Sequence, residues 1–60
     1  MKIVEITKEL FDSLINNDIK VHSIVDTSNY TDVSYFINGV KFICRTQNGY
    51  WNYYIQDINA

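Results

Sequence analysis

Few residues of this 60-residue chain have the type and spacing that chemistry needs. His22 is the sole histidine and Cys44 the sole cysteine, and no second histidine, cysteine pair or carboxylate stands at metal-ligand spacing from either. A lone histidine on the polar side of a strand reads as a solvated or hydrogen-bonded side chain rather than a proton-transfer group. Cys44 falls on an apolar face and reads as a small buried hydrophobe in a reducing compartment, since one cysteine excludes an internal disulfide. Glu5, Glu9, Asp12 and Asp18 gather around the first helical segment, where they form either a solvated acidic side or an electrostatic docking surface. The chain carries no glycine-rich phosphate loop, no Ser-His-Asp set and no paired-cysteine zinc pattern. No catalytic residue, metal ligand or cofactor site is therefore assigned, and the expectation is a protein that is not an enzyme.

The elements that position these residues are set by two Asn-Gly dipeptides, Asn38-Gly39 and Asn48-Gly49, each flanked by aromatic and β-branched residues. Asn-Gly is the strongest short-range signal for a two-residue type I′ hairpin turn, because both central positions need φ > 0. The first turn then pairs Ile37 with Val40 and, stepping outward, Phe36 with Lys41, Tyr35 with Phe42, Ser34 with Ile43, Val33 with Cys44 and Asp32 with Arg45. The second pairs Gln47 with Tyr50 and runs outward to Lys41 with Gln56. Cross-strand partners share a face, so the two hairpins check each other. One face collects Val33, Tyr35, Ile37, Val40, Phe42, Cys44, Thr46, Trp51, Tyr53 and Ile55. The other collects Asp32, Ser34, Phe36, Lys41, Ile43, Arg45, Gln47, Tyr50, Asn52, Tyr54 and Gln56, with Asp32 and Arg45 placed for a cross-strand ion pair.

Upstream, Thr7 is positioned to cap a helix, with Glu9 in its first turn and Ile6 and Phe11 spaced for a hydrophobic staple. Leu10, Phe11, Leu14 and Ile15 recur at helical spacing, and Asn16-Asn17 ends the run. Ile19, Val21, Ser23 and Val25 alternate with Lys20, His22 and Ile24 as in a half-buried strand, and 26–29 reads as a polar loop. Met1 to Ile6 is a further strand of ambiguous face, because Ile3, Val4 and Ile6 do not alternate cleanly. The expected fold class is α+β: residues 1–60 form a single small domain in β-α-β-β-β order, one helix packed on the apolar face of an antiparallel sheet with a three-stranded meander.

The outer sheet face is the informative departure. Phe36, Lys41, Ile43, Arg45, Tyr50, Asn52 and Tyr54 mix aromatic, apolar and polar side chains where a sheet roofed by one helix should face water, which marks a partner-binding surface. Burial in a homodimer, or cover by the N-terminal segment or by the 26–32 loop with Tyr30, are the alternatives. Single-stranded nucleic acid could stack on such a face. However, five basic against seven acidic residues leave a net charge of −2, so the attraction that supplies most nucleic-acid affinity is missing. Tyrosine, tryptophan and arginine are the usual anchors of protein interfaces, and protein binding fits better.

The N-terminus has no leader-type pattern, and no window reaches the roughly 20 apolar residues of a membrane span, so a cytoplasmic location without a membrane partner is expected. Asn29-Tyr30-Thr31 matches a glycosylation acceptor, which without a secretory signal is accidental. Seven Asn, nine Ile, five Tyr and no Pro suggest an AT-rich genome. A small chain of this composition without catalytic residues resembles the accessory proteins of bacteriophages and other mobile elements. That resemblance implies a binder, inhibitory or antitoxin-like, whose partner is a larger bacterial host protein such as an enzyme or defence factor.

Overall fold

The computed structural model describes residues 2–15 and 19–57. Its elements run β1 (Lys2–Ile6), α1 (Lys8–Leu14), β2 (Ser23–Asp26), β3 (Thr31–Ile37), β4 (Val40–Gln47) and β5 (Tyr50–Asp57). The five strands make one antiparallel sheet in the order β1-β5-β4-β3-β2, so the fold is broadly α+β but dominated by strand. The β-α-β-β-β order leaves out one of the five strands that the sequence pattern itself marks; the N-terminal strand and β2 flank the meander, one on each edge.

The meander has the register that the two turns dictate. Ile37 faces Val40, Asp32 faces Arg45, Gln47 faces Tyr50 and Lys41 faces Gln56. Asn38 and Asn48 sit at φ 52° and 54°, followed by Gly39 and Gly49 at 80° and 79°, the left-handed pair a type I′ turn requires. This twist matches that of the flanking strands, which lets two long hairpins share β4 without a slip.

Pairing of β1 with β5 removes the ambiguity of the N-terminal strand. Val4 opposes Ile55 and Ile6 opposes Tyr53, which puts them on the helix side, while Ile3 and Glu5 join Gln56 and Tyr54 on the outer side. Thr7 caps the helix as its position predicts: its Oγ1 accepts a hydrogen bond from the Leu10 amide at 3.1 Å. The helix ends at Ile15, whose amide still reaches the Phe11 carbonyl at 2.9 Å; Asn16-Asn17, and Asp18 with them, lie outside the described residues.

The second strand is shorter than the alternation over 19–25 suggests, and it is not half-buried. His22 donates its amide to the Ser34 carbonyl at 2.7 Å, and its ring packs edge-on against Phe36 with centroids 4.7 Å apart. Ser23 opposes the same Ser34. Two consecutive residues thus address the outer side, as in a bulge, and regular pairing begins only at Ser23. As a result Ile24 and Val25, at the sheet edge, are both exposed.

The core lies between α1 and the middle of the sheet. Phe11, the one buried residue of the helix, packs with Phe42 and Cys44, and Ile6, Ile15, Tyr35, Ile37, Val40, Tyr53 and Ile55 close around them. Phe11 meets Tyr53 at 4.8 Å and Tyr35 at 6.0 Å between ring centroids, the latter edge to face. Trp51, on the same face by register, is 59% exposed. A seven-residue helix is only about 10 Å long, and lying over β5 it stops short of this corner.

Candidate functional site

The outer face is organised around Arg45. From the middle of β4 its guanidinium makes a two-pronged ion pair with Asp32 of β3, Nε to Oδ1 at 2.7 Å and Nη2 to Oδ2 at 2.9 Å. The Tyr30 ring lies 4.0 Å from the guanidinium carbon and the Tyr54 ring 5.7 Å from it. Paired with a carboxylate edge-on and flanked by aromatic faces, a planar guanidinium has its strongest contacts satisfied inside the molecule. The Asp32 hydrogen bond holds the guanidinium well above its already high ordinary pKa, so Arg45 is a fixed cation.

Tyr30 reaches this position through a tight loop. Thr27 Oγ1 accepts hydrogen bonds from the Asn29 amide at 3.2 Å and the Tyr30 amide at 3.0 Å, while the Thr27 amide donates to the Tyr30 carbonyl at 2.8 Å. Such a self-bonded Thr turn is legible in Thr27-Ser28-Asn29. That the next residue would stack on Arg45 is a tertiary fact, which the sequence raised only as cover by the 26–32 loop.

Beside the clamp, Ser34 is 3% exposed and exchanges a 2.6 Å hydroxyl contact with Ser23. Ile43, opposite Ser34 and Tyr54, is 9% exposed. Of the seven residues expected to meet a partner, Ile43 is therefore floor, and Lys41, Arg45, Asn52 and Tyr54 are half-buried. Tyr50 is 75% exposed and Phe36 37%. These two stand beside Gln47 and Lys41, six residues apart on β4, or about 20 Å at the rise of an extended strand. The face is thus two exposed aromatic rings at opposite ends of a rigid polar centre, not one apolar patch.

The other chemistry-bearing residues do not converge. Cys44 is buried on the helix side, and burial, with Asp12 and Asp32 nearby, pushes its thiol up and away from reactivity. The acidic group around the helix splits: Glu5 faces outward opposite Tyr54, and Asp12 is bound to Lys8 at 2.6 Å. Among the described residues no three His, Cys, Asp or Glu side chains come together as a metal site would require, and no cavity opens among them. No described helix is long and apolar enough to cross a membrane. The chain matches no protein-family model, and searches of curated proteins and of solved structures return no match.

Proposed function

We propose that this protein is a non-enzymatic protein-binding module that contacts its partner through the outer sheet face. The reading extends to an accessory protein of a phage or other mobile element, acting in the bacterial cytoplasm to block or adapt a larger host protein. The observation that carries it is the pair of exposed rings, Tyr50 and Phe36, held on a sheet whose centre is already locked by Arg45, Asp32, Tyr30 and Tyr54. Aromatic anchors on a preorganised surface lose little conformational entropy on docking, and a polar centre with its hydrogen bonds made supplies the rim around them. Lys41 and Asn52, half-buried between the two rings, add polar contacts on that surface. The nucleic-acid alternative is disfavoured by the same geometry, because Arg45 is committed to Asp32 rather than offered to a phosphate.

The test is recovery of partners from bacterial lysate on the tagged protein, with and without nuclease, followed by the same experiment with Tyr50→Ala. A single protein that is retained after nuclease and lost with Tyr50→Ala, in a variant whose circular dichroism is unchanged, supports the reading. Recovery that nuclease abolishes, or that Tyr50→Ala leaves intact, overturns it.

A further inference from the structure

We propose that Asn48 is a site of spontaneous deamidation, singled out from the chemically identical Asn38 by how the two hairpin tips are anchored. In an Asn-Gly sequence the glycine nitrogen can attack the asparagine side-chain amide, because glycine has no Cβ to obstruct the approach. Gly49 gives up its amide proton to solvent base, its nitrogen bonds to Asn48 Cγ, and the Cγ–Nδ2 bond breaks as the amide nitrogen takes up a proton and leaves as ammonia. Water then opens the succinimide ring at either carbonyl, which leaves an aspartate or an isoaspartate whose main chain runs through Cγ. In sum, water is consumed, ammonia is released, and a carboxylate stands where an amide stood.

The two turns share this chemistry and also their backbone, with φ 52° and 80° at Asn38-Gly39 and 54° and 79° at Asn48-Gly49. Attack requires the nitrogen to swing toward Cγ, so the turn must open, and the rate follows the population of the opened tip. Anchoring decides that population. Ile37 and Val40, which close the first turn, pack against the helix-side core, and Val40 is paired on its other side with Asp57 of β5. Gln47 and Tyr50, which close the second, are both exposed and pair with each other but with no other described strand. On one side β3 begins at Thr31, opposite Thr46; on the other β1 ends at Ile6, opposite Tyr53. The second tip is thus a two-stranded ribbon projecting past the five-stranded sheet, and such ribbons are marginal by themselves. A Cβ built on Gly49 would meet nothing within 4 Å, so the ring has room to form. The reaction does not depend on what the outer face binds, but its product sets a negative charge beside Tyr50, the ring on which that reading rests. Isoaspartate also adds a main-chain atom to a turn whose length fixes the register.

The test is incubation of the whole protein at mildly alkaline pH, folded and in urea, followed by tryptic digestion and mass spectrometry. Cleavage after Lys41 and Arg45 puts the two Asn-Gly sites in different peptides, fragmentation places the mass gain, and an isoaspartate methyltransferase assay identifies the product. In the folded protein Asn48 is expected to convert about tenfold faster than Asn38, and in urea, where neither tip is anchored, at a similar rate. Asn48→Gly, which retains a sequence suited to the same turn, should abolish the isoaspartate signal of that peptide with circular dichroism unchanged. Equal conversion in the folded protein, faster conversion of Asn38, or no conversion of Asn48 until urea is added overturns the proposal. The same tenfold ratio in urea also overturns it, because sequence and not anchoring would then set the rates.

Discussion

The inner face of the sheet contains two regions of opposite character that lie side by side. Over β5 and the middle of β4, α1 presses Phe11 between Tyr35 and Tyr53 and buries Phe42 and Cys44. One row along, Thr46 and Trp51 belong to the same two strands and the same face, yet Trp51 is exposed and nothing described covers it. The strands are equally well paired in both places, so hydrogen bonding does not separate them. Apolar area withdrawn from water does, and it is concentrated under seven residues of helix. Stability in such a small protein therefore rests on one corner, while the opposite corner is available for contacts.

The strongest way to break this comparison is to remove the centre of the covered corner. Phe42→Ala deletes an aromatic side chain that is 6% exposed and touches the helix-side cluster. Such truncations cost about 3–5 kcal/mol, against a total of about 3–9 kcal/mol expected for 60 residues. The variant is expected to be largely unfolded at 25 °C by circular dichroism and to melt without a cooperative transition. A sharp transition near that of the parent would show that the aromatic cluster is not where stability resides.

A gentler test loosens the roof without touching the floor. Thr7→Ala removes the hydroxyl that accepts from the Leu10 amide, a capping loss of about 1 kcal/mol. Since Cys44 lies beneath the helix, lifting α1 exposes its thiol. The expected outcome is a thiol reagent reaction severalfold faster than in the parent, with the midpoint in urea lowered. The pH dependence has a definite sign. Burial raises the folded-state pKa of both Cys44 and Tyr53, so the stability linked to them is fully present below their unfolded values. It declines as pH rises through the folded ones. Urea melts across the alkaline range should show this decline, and Cys44→Ala should shrink it; a flat profile would contradict the burial of the Cys44 thiol.

Much of this architecture was legible in the chain because local rules carried it. The two Asn-Gly turns define every pairing between β3, β4 and β5, and Thr7 with Phe11 define where the helix starts and which side it buries. The outer-face ion pair followed from the same register, since Asp32 and Arg45 are cross-strand partners. What escaped was decided by non-local geometry. The face of β1 depended on pairing with β5, at the opposite end of the sequence, and no period-2 pattern in Ile3, Val4 and Ile6 could reveal it. The alternation over 19–25 pointed to a half-buried strand, but His22 and Ser23 share one partner and the phase is lost there. The candidate site was legible as a set of residues on one face but not as a surface. That Ile43 is floor, and that Tyr30 closes over Arg45, depends on how neighbouring side chains lie, which residue type and register do not specify.

The smallest expected effect sharpens the comparison most. Trp51→Ala removes the largest side chain of the inner face, and by residue type alone it should rival Phe42→Ala. Its position argues otherwise. At 59% exposed, much of the indole is already in water, and its cross-strand neighbour Thr46 offers little to pack against. The expected change in stability is within about 0.5 kcal/mol, as for surface substitutions away from special features, measured by urea denaturation followed with circular dichroism because the fluorophore is gone. If the loss were instead several kcal/mol, the indole would have to be packed in solution against something that covers this corner, and the two regions would not differ as described.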